Sequence, residues 1–267
     1  MPPVKVIKAN AKVSLLNKWS SAIGIGAIVL SVFCVHIIIL NVFTSLFNGI
    51  LNVFFATLVG VALTVVTLPF FAMPLLYGAL RWFWFTANDS DVPVSEIFCF
   101  FGSSSEYLRA LSLSYRVFFR ITSILILCFI PSILIWVVRN PETYNILNFP
   151  MPYWTSSMWV LSNIFNFFGW VFSIILLLRY FIAPILMIND RSLSPQEALD
   201  LSVIISKSTN GRTFSLLLSF LGWGLLSLLI IPMIYTIPYF LASYAVYCRF
   251  LINHYNNKIA QHYMPIF

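Results

Sequence analysis

The chain has 267 residues, of which 60% are apolar, 17% aromatic and only 9% charged, with a formal net charge of +7; soluble domains carry roughly a quarter charged residues. That composition excludes a water-soluble globular protein, and no polar stretch reaches the ~50 residues of a separate soluble domain. The positive balance points to a membrane face rich in anionic lipid and not to nucleic acid, because no basic soluble module exists to hold any.

Residues 1–19 carry Lys5, Lys8, Lys12 and Lys18, superficially the basic region of a signal peptide. The apolar run that follows reaches Leu40 and beyond, longer than the ~7–15 residues of a signal core and without a clear small-x-small cleavage site. A helix needs ~20 mostly apolar residues to cross ~30 Å of hydrocarbon. This predicts six transmembrane helices in a single membrane domain, at 21–40, 51–72, 121–138, 160–178, 214–231 and 234–251. Asn41, Thr44, Asn48, Gly49 and Asn52 form an uncharged polar turn between the first two. Only a tight turn around Pro232 separates the last two, which leaves a re-entrant hairpin open there.

With a cytoplasmic N-terminus, every one of the 15 basic residues except Arg139 falls on the cytoplasmic side, as the positive-inside rule requires. Both termini are therefore expected to be cytoplasmic. Trp19, Trp82 and Trp84 are placed near the inner interface and Trp136, Trp154 and Trp159 near the outer one, where amphipathic rings sit.

A complete short helix is written between the fourth and fifth spans. Ser194 is a natural N-cap, Pro195 fits the first helical position and Glu197 completes a capping box, with Asn210 and Gly211 as the stop. Ala198, Leu201 and Ile205 share one face, opposite Asp200 and Lys207, so Ser194, Glu197, Leu201 and Ile205 mark a surface-helix interface lying along the membrane or against span ends. The same grammar recurs as "NDSDVPVSEIF" after the second span, with Glu96 where the later copy has Glu197, and "IPSI" at 130–133 answers "IPMI" at 231–234. With the N-terminal lysine-bearing helix as the remaining copy, the chain reads as an all-α polytopic protein of three parallel hairpin repeats, each preceded by a cytoplasmic amphipathic helix. Pro69, Pro74, Pro184 and Pro238 predict kinks in the even-numbered spans.

The stretches "KANAKVSLLNKW", "RYFIAPILMIND", "SPQEALDLSVIISKSTNGR", "LSFLGW" and "PYFLASYAVY" resemble the uncharacterised bacterial integral-membrane family described as domain of unknown function nine-seven-five, within a broader YciC-like group of six-span proteins. The likeness covers both ends of the chain and is weaker over 87–149. Family members often place Gly after the proline of the outer turn, where Ser132 and Met233 stand here. The resemblance implies a six-helix protein of the bacterial cytoplasmic membrane and implies no reaction.

Candidate chemistry is sparse. Arg109, Arg116 and Arg120 are spaced by seven and four, on one helical face; such a row can clamp lipid phosphates or a partner, or simply anchor the cytoplasmic end. Arg179 precedes a further apolar run, which predicts a packed cytoplasmic extension of the fourth helix with the guanidinium reaching the interface. His36 is the only histidine within a predicted span and is expected to bond a neighbouring carbonyl. The four cysteines are isolated and no metal-ligand spacing is present, so no metal or cofactor is expected. All eight acids fall outside the predicted spans, which argues against an ion-coupled carrier. "DSD" at 89–91 is explained by a turn, "GSSS" at 102–105 has no histidine base in reach, and H-E-x-x-H, G-x-S-x-G and phosphate-loop patterns are missing.

The expectation is a non-catalytic membrane scaffold or envelope protein that engages anionic lipids, a membrane protein partner or a second copy of itself. An alternative is a transporter or exporter of a lipid, peptide or hydrophobic compound through a cavity between hairpins. A membrane-embedded lipid enzyme, which needs acids or histidines clustered at one interface, is a further alternative.

Overall fold

A computed structural model describes residues 2–48, 53–139, 158–227 and 229–263, and every regular element among them is helical. Trp154, the first two positions of the second predicted span and residue 228 of the fifth lie outside the described residues.

Helix α1 (Val4–Ser14) turns Ile7 and Ala11, one helical turn apart, into the core. It ends in a turn where Asn17 adopts φ 63°, the left-handed backbone that asparagine tolerates best after glycine. Helix α2 (Trp19–Asn48) continues through Asn41 and Thr44, the first part of the predicted polar turn, whereas Gly49 and Asn52 of that turn lie outside the described residues. Asn41 Nδ2 donates to the Ile37 carbonyl at 2.9 Å and Thr44 Oγ1 to the Leu40 carbonyl at 2.9 Å, so these side chains satisfy themselves on their own helix and do not end it.

Helix α3 (Val53–Ala87) continues well past residue 72. Its end is a left-handed cap: Asp89 has φ 58° and the Ser90 N–H donates to the Phe85 carbonyl at 3.0 Å. A 3-10 helix (Val94–Phe101) follows, and then α4 (Ser104–Arg139), which joins the arginine-bearing surface segment and the third predicted span into one rod of 36 residues. Pro131 lies inside α4 and not at an outer turn. Helix α5 (Met158–Leu177) passes through a 3-10 turn (Leu178–Tyr180) into α6 (Ala183–Asn189) and the capped α7 (Pro195–Ser206).

The fifth predicted span is broken in two, α8 (Asn210–Ser219) and α9 (Leu221–Leu226). The Phe220 N–H donates to the Leu217 carbonyl in a tightened last turn, and the Gly224 N–H donates to the Phe220 carbonyl at 2.7 Å as the first bond of α9. Helix α10 (Ile230–Tyr263) takes Pro232 into its first turn and continues for 34 residues to the tail. Asn210 and Gly211, expected to stop α7, instead open α8 behind Thr209.

Among the described residues, three stretches are long and apolar enough to cross a membrane: Trp19–Phe47, Ser104–Ile135 and Met158–Asn189. The first, at 29 residues, spans roughly 43 Å. Packing is uneven along these rods. One end gathers α1, the last four turns of α3, the 3-10 helix, α6, α7 and the second half of α10 around Tyr77, Trp82, Phe83, Met187 and Tyr247, all buried. Trp82 and Trp84 therefore belong to the core and are not lipid-facing interface rings; Trp82 Nε1 donates to the Val92 carbonyl at 3.2 Å. At the other end Ile37, Ile38, Leu127, Leu134, Trp159, Phe167 and Trp170 are exposed.

Gly78 shows how close the packed end is. A Cβ there would lie 1.9 Å from the Ile97 carbonyl oxygen, so only glycine lets the 3-10 helix lie on α3. At the splayed end, α4 and α5 hold together through Ser132, which donates to Asn166 Oδ1 at 2.7 Å and lies 3.4 Å from Ser162, and through Gly169, which admits Phe129.

Candidate functional site

Helix α7 presents the capping box in full: the Glu197 N–H donates to Ser194 Oγ at 3.3 Å and the Ser194 N–H donates to Glu197 Oε2 at 2.7 Å. The second copy of this grammar folds differently. Glu96 sits in the 3-10 helix without a side-chain cap and pairs with Arg81 at 2.9 Å. The capped element there is α4 itself, whose Glu106 N–H donates to Ser103 Oγ, and this gives "GSSS" its role.

The arginine row of α4 faces α7. Arg109 reaches the carbonyls of Met187, Asp190 and Leu193 at 3.3, 2.9 and 2.7 Å. Arg116 donates to Gln196 Oε1 at 2.8 Å, and Arg120 pairs with Asp200 at 3.0 Å while lying over the Tyr180 ring. Predicted row and predicted surface helix thus form one contact. Within α7, Ile205 is buried and Leu201 half-buried, while Ser202 Oγ donates to the Arg179 carbonyl at 2.6 Å. The Arg179 side chain itself is exposed at the foot of α5, ahead of the buried α6.

Other cations do the same work elsewhere. Lys8 donates to the Ser219 carbonyl at the end of α8 at 2.7 Å and lies 3.9 Å from the Phe220 ring centroid. Arg249 donates to the Ala87 carbonyl at the end of α3. Lys18 pairs with Asp91 at 2.9 Å, which accounts for half of the "DSD" motif. Helix C-termini expose unpaired carbonyls and a partial negative charge, so a cation there supplies both a donor and a counter-charge. Sequence spacing reveals the cationic row but not these acceptors, which lie 78 to 211 residues away.

The local charges follow. The Asp200 carboxyl is held below its ordinary range by the Arg120 hydrogen bond and then by Gln196. Ser192 does this for Asp190 and the Ser194 N–H for Glu197. Burial, then the neighbouring Lys12, lowers Lys8.

Two cavities stand out. One of about 500 Å³ opens between the start of α1 and α8, lined by Pro3, Lys5, Arg212, Ser215 and Tyr247. The other, about 470 Å³, lies between α2, α3 and the 3-10 helix. It contains His36, whose Nε2 is buried with no hydrogen-bond partner among the described residues, contrary to the expected carbonyl contact. Among the described residues no cluster of three or more His, Cys, Asp or Glu can hold a metal.

Comparison of the chain with protein-family models, with curated proteins and with solved structures gives no match.

Proposed function

We propose that this chain is a non-catalytic scaffold of a bacterial cytoplasmic membrane, crossing it six times as three parallel hairpins with both termini in the cytoplasm, and that its basic end binds anionic lipid headgroups. The observation that carries the reading is the 500 Å³ cavity at the basic end, where Lys5 and Arg212 stand beside Ser215 and the Tyr247 ring. Two cations and a hydroxyl suit a phosphate oxygen set. Arg179 and Lys207 are exposed at the same end, with Arg191 only loosely held 4.0 Å from Glu106. Arg109, Arg116 and Arg120 enter as the brace that positions this face, with Arg116 the most open of the three to a headgroup or protein partner. The fifth crossing would run through α8 and α9, whose break keeps the Phe220 N–H on the Leu217 carbonyl and the Phe220 carbonyl on the Gly224 N–H. Membership of the six-span family is part of the same proposal.

The test is lipid copurification from native membranes. The pair Lys5→Gln and Arg212→Gln is expected to cut the retained anionic phospholipid several-fold, with neutral lipid unchanged. Equal anionic enrichment in the double variant would show the reading to be wrong.

A further inference from the structure

We propose that α1 is an in-plane membrane anchor, whose outward face enters the headgroup layer of the anionic leaflet from which α2 departs. Helix α1 has two apolar faces. Ile7 and Ala11 turn into the core, whereas Val6, Ala9 and Val13 stand on the other side, three or four residues apart, and are exposed. Leu16 carries this strip into the following turn and is exposed as well. Lys5 and Lys12, two turns apart, form one edge of it. Lys12 stays exposed although its Nζ lies 5.4 Å from the Tyr239 ring centroid. An apolar strip with a lysine edge is the pattern of a helix that lies in a bilayer interface.

The position of α1 says what covers the strip. Leu16 stands three residues ahead of Trp19, where the first stretch long and apolar enough to cross the membrane begins. Lys8 Nζ donates to the Ser219 carbonyl at 2.7 Å, and Ser219 is five residues past Phe214, the start of the proposed fifth crossing. Five helical residues rise roughly 7.5 Å, within the ~5–10 Å to which interfacial helices sink. The middle and the end of α1 thus meet the entry level of two separate crossings, so lipid is the surface always beside the strip. No Asp or Glu precedes Asp89 in the chain. Helix α1 therefore offers only cations to its cover, and a phosphate-bearing anionic lipid complements them. The inference rests on the reading that the basic end faces an anionic leaflet, and its test uses Val13 and Lys12, which do not line the basic cavity.

The test places a benzophenone-bearing residue at Val13 of the full chain, in native membranes and in nanodiscs of equimolar phosphatidylcholine and phosphatidylglycerol, and identifies the photoproducts by mass spectrometry. Lipid adducts are expected in both. In the nanodiscs phosphatidylglycerol is expected to be captured roughly fivefold over phosphatidylcholine, the ratio that one lysine near the surface supplies, and Lys12→Gln to lower this to about twofold or less. A cross-link to protein in native membranes, or no lipid adduct in either setting, overturns the proposal; the same residue at Val6 gives the reading if the Val13 variant melts below the parent. Equal capture of the two lipids, or a preference untouched by Lys12→Gln, overturns the anionic leaflet as the cover. Unchanged anionic retention in the Lys5→Gln and Arg212→Gln pair, with the Val13 adducts intact, sinks the cavity reading and leaves the anchor; the reverse pattern sinks the anchor and leaves the cavity.

Discussion

Trp82 and Phe83, near the end of α3, expose 2% and 1% of their surface, whereas Phe167 and Trp170, on α5, expose 64% and 60%. Both pairs sit on long apolar helices, so side-chain character does not separate them. Their surroundings do. In the first region short helices fold back over the rods, and cations from remote parts of the chain close three helix ends: Lys8 on α8, Arg109 on α6 and Arg249 on α3. In the second region α4 and α5 meet through small and weakly polar side chains and leave aromatic faces open. Where water is present, apolar burial drives packing; against lipid tails that force vanishes, and association rests on close fit and a few hydrogen bonds. The basic end is thus packed by the rules of a soluble core and the other end by those of a bilayer.

The difference is most easily broken at Gly78. Replacement by Ala drives a Cβ to within 1.9 Å of the Ile97 carbonyl oxygen, and the contact is backbone, which cannot swing away. The 3-10 helix must lift from α3, at an expected cost of about 3 kcal/mol. A large fall in the detergent-solubilised melting temperature is the readout. Gly222 and Gly224, which have open space around their Cβ positions, are expected to accept Ala with little change.

Arg109 and Arg116 sharpen the comparison within one helix. Arg109 is 14% exposed and serves three carbonyls, so Arg109→Ala leaves several acceptors unmet in the packed layer. A loss of about 2 kcal/mol is expected. Arg116 is exposed and bonds Gln196 and Ser112, so Arg116→Ala is expected to cost at most about 0.5 kcal/mol. Parallel urea or thermal titrations separate them; similar losses would mean that the row acts by charge alone.

These features differ in how readable they are. Ser194, Pro195 and Glu197 announce their helix because a capping box is local, with every partner within three residues. The spacing of Arg109, Arg116 and Arg120 is equally local, and so is its helical face. Their partners are not, since carbonyls carry no residue signature. Asn41 and Thr44, the first residues of the expected polar turn, are helical because both side chains found acceptors one turn back. The stop expected at Asn210 and Gly211 is a start because Thr209 and the preceding turn already end α7. Gly78 is one small residue in an apolar run, and only the folded chain shows what presses on it. The solitary state of His36 is likewise invisible until its neighbours are in place.

At the splayed end the largest single effect is expected from Ser132. It is buried between α4 and α5 and donates to Asn166. Ser132→Ala is expected to weaken the pair by about 0.6 kcal/mol, the average for polar contacts between membrane helices. Disulfide trapping of cysteines placed across α4 and α5 reads it; a loss matching that of Arg109→Ala would erase the distinction between the two ends.

The smallest effect is electrostatic and belongs to the basic end. Asp200 is held below the ordinary carboxyl range chiefly by Arg120, so its protonation is resisted in the folded state. A depressed folded value means that the stabilisation is complete above the unfolded carboxyl pKa, near ~3.9, and disappears as pH falls through the folded value. The pair is half open to water, with Asp200 at 55% side-chain exposure and Arg120 at 29%, so screening limits it to at most about 0.5 kcal/mol. Between pH 7 and 5 the melting temperature of Asp200→Asn is therefore expected to sit slightly and constantly below that of the parent. The gap closes under acid, and it narrows in high salt. If the gap instead widened toward low pH, Asp200 would carry a raised pKa, and the pairing of the α4 row with α7 would need a different electrostatic origin.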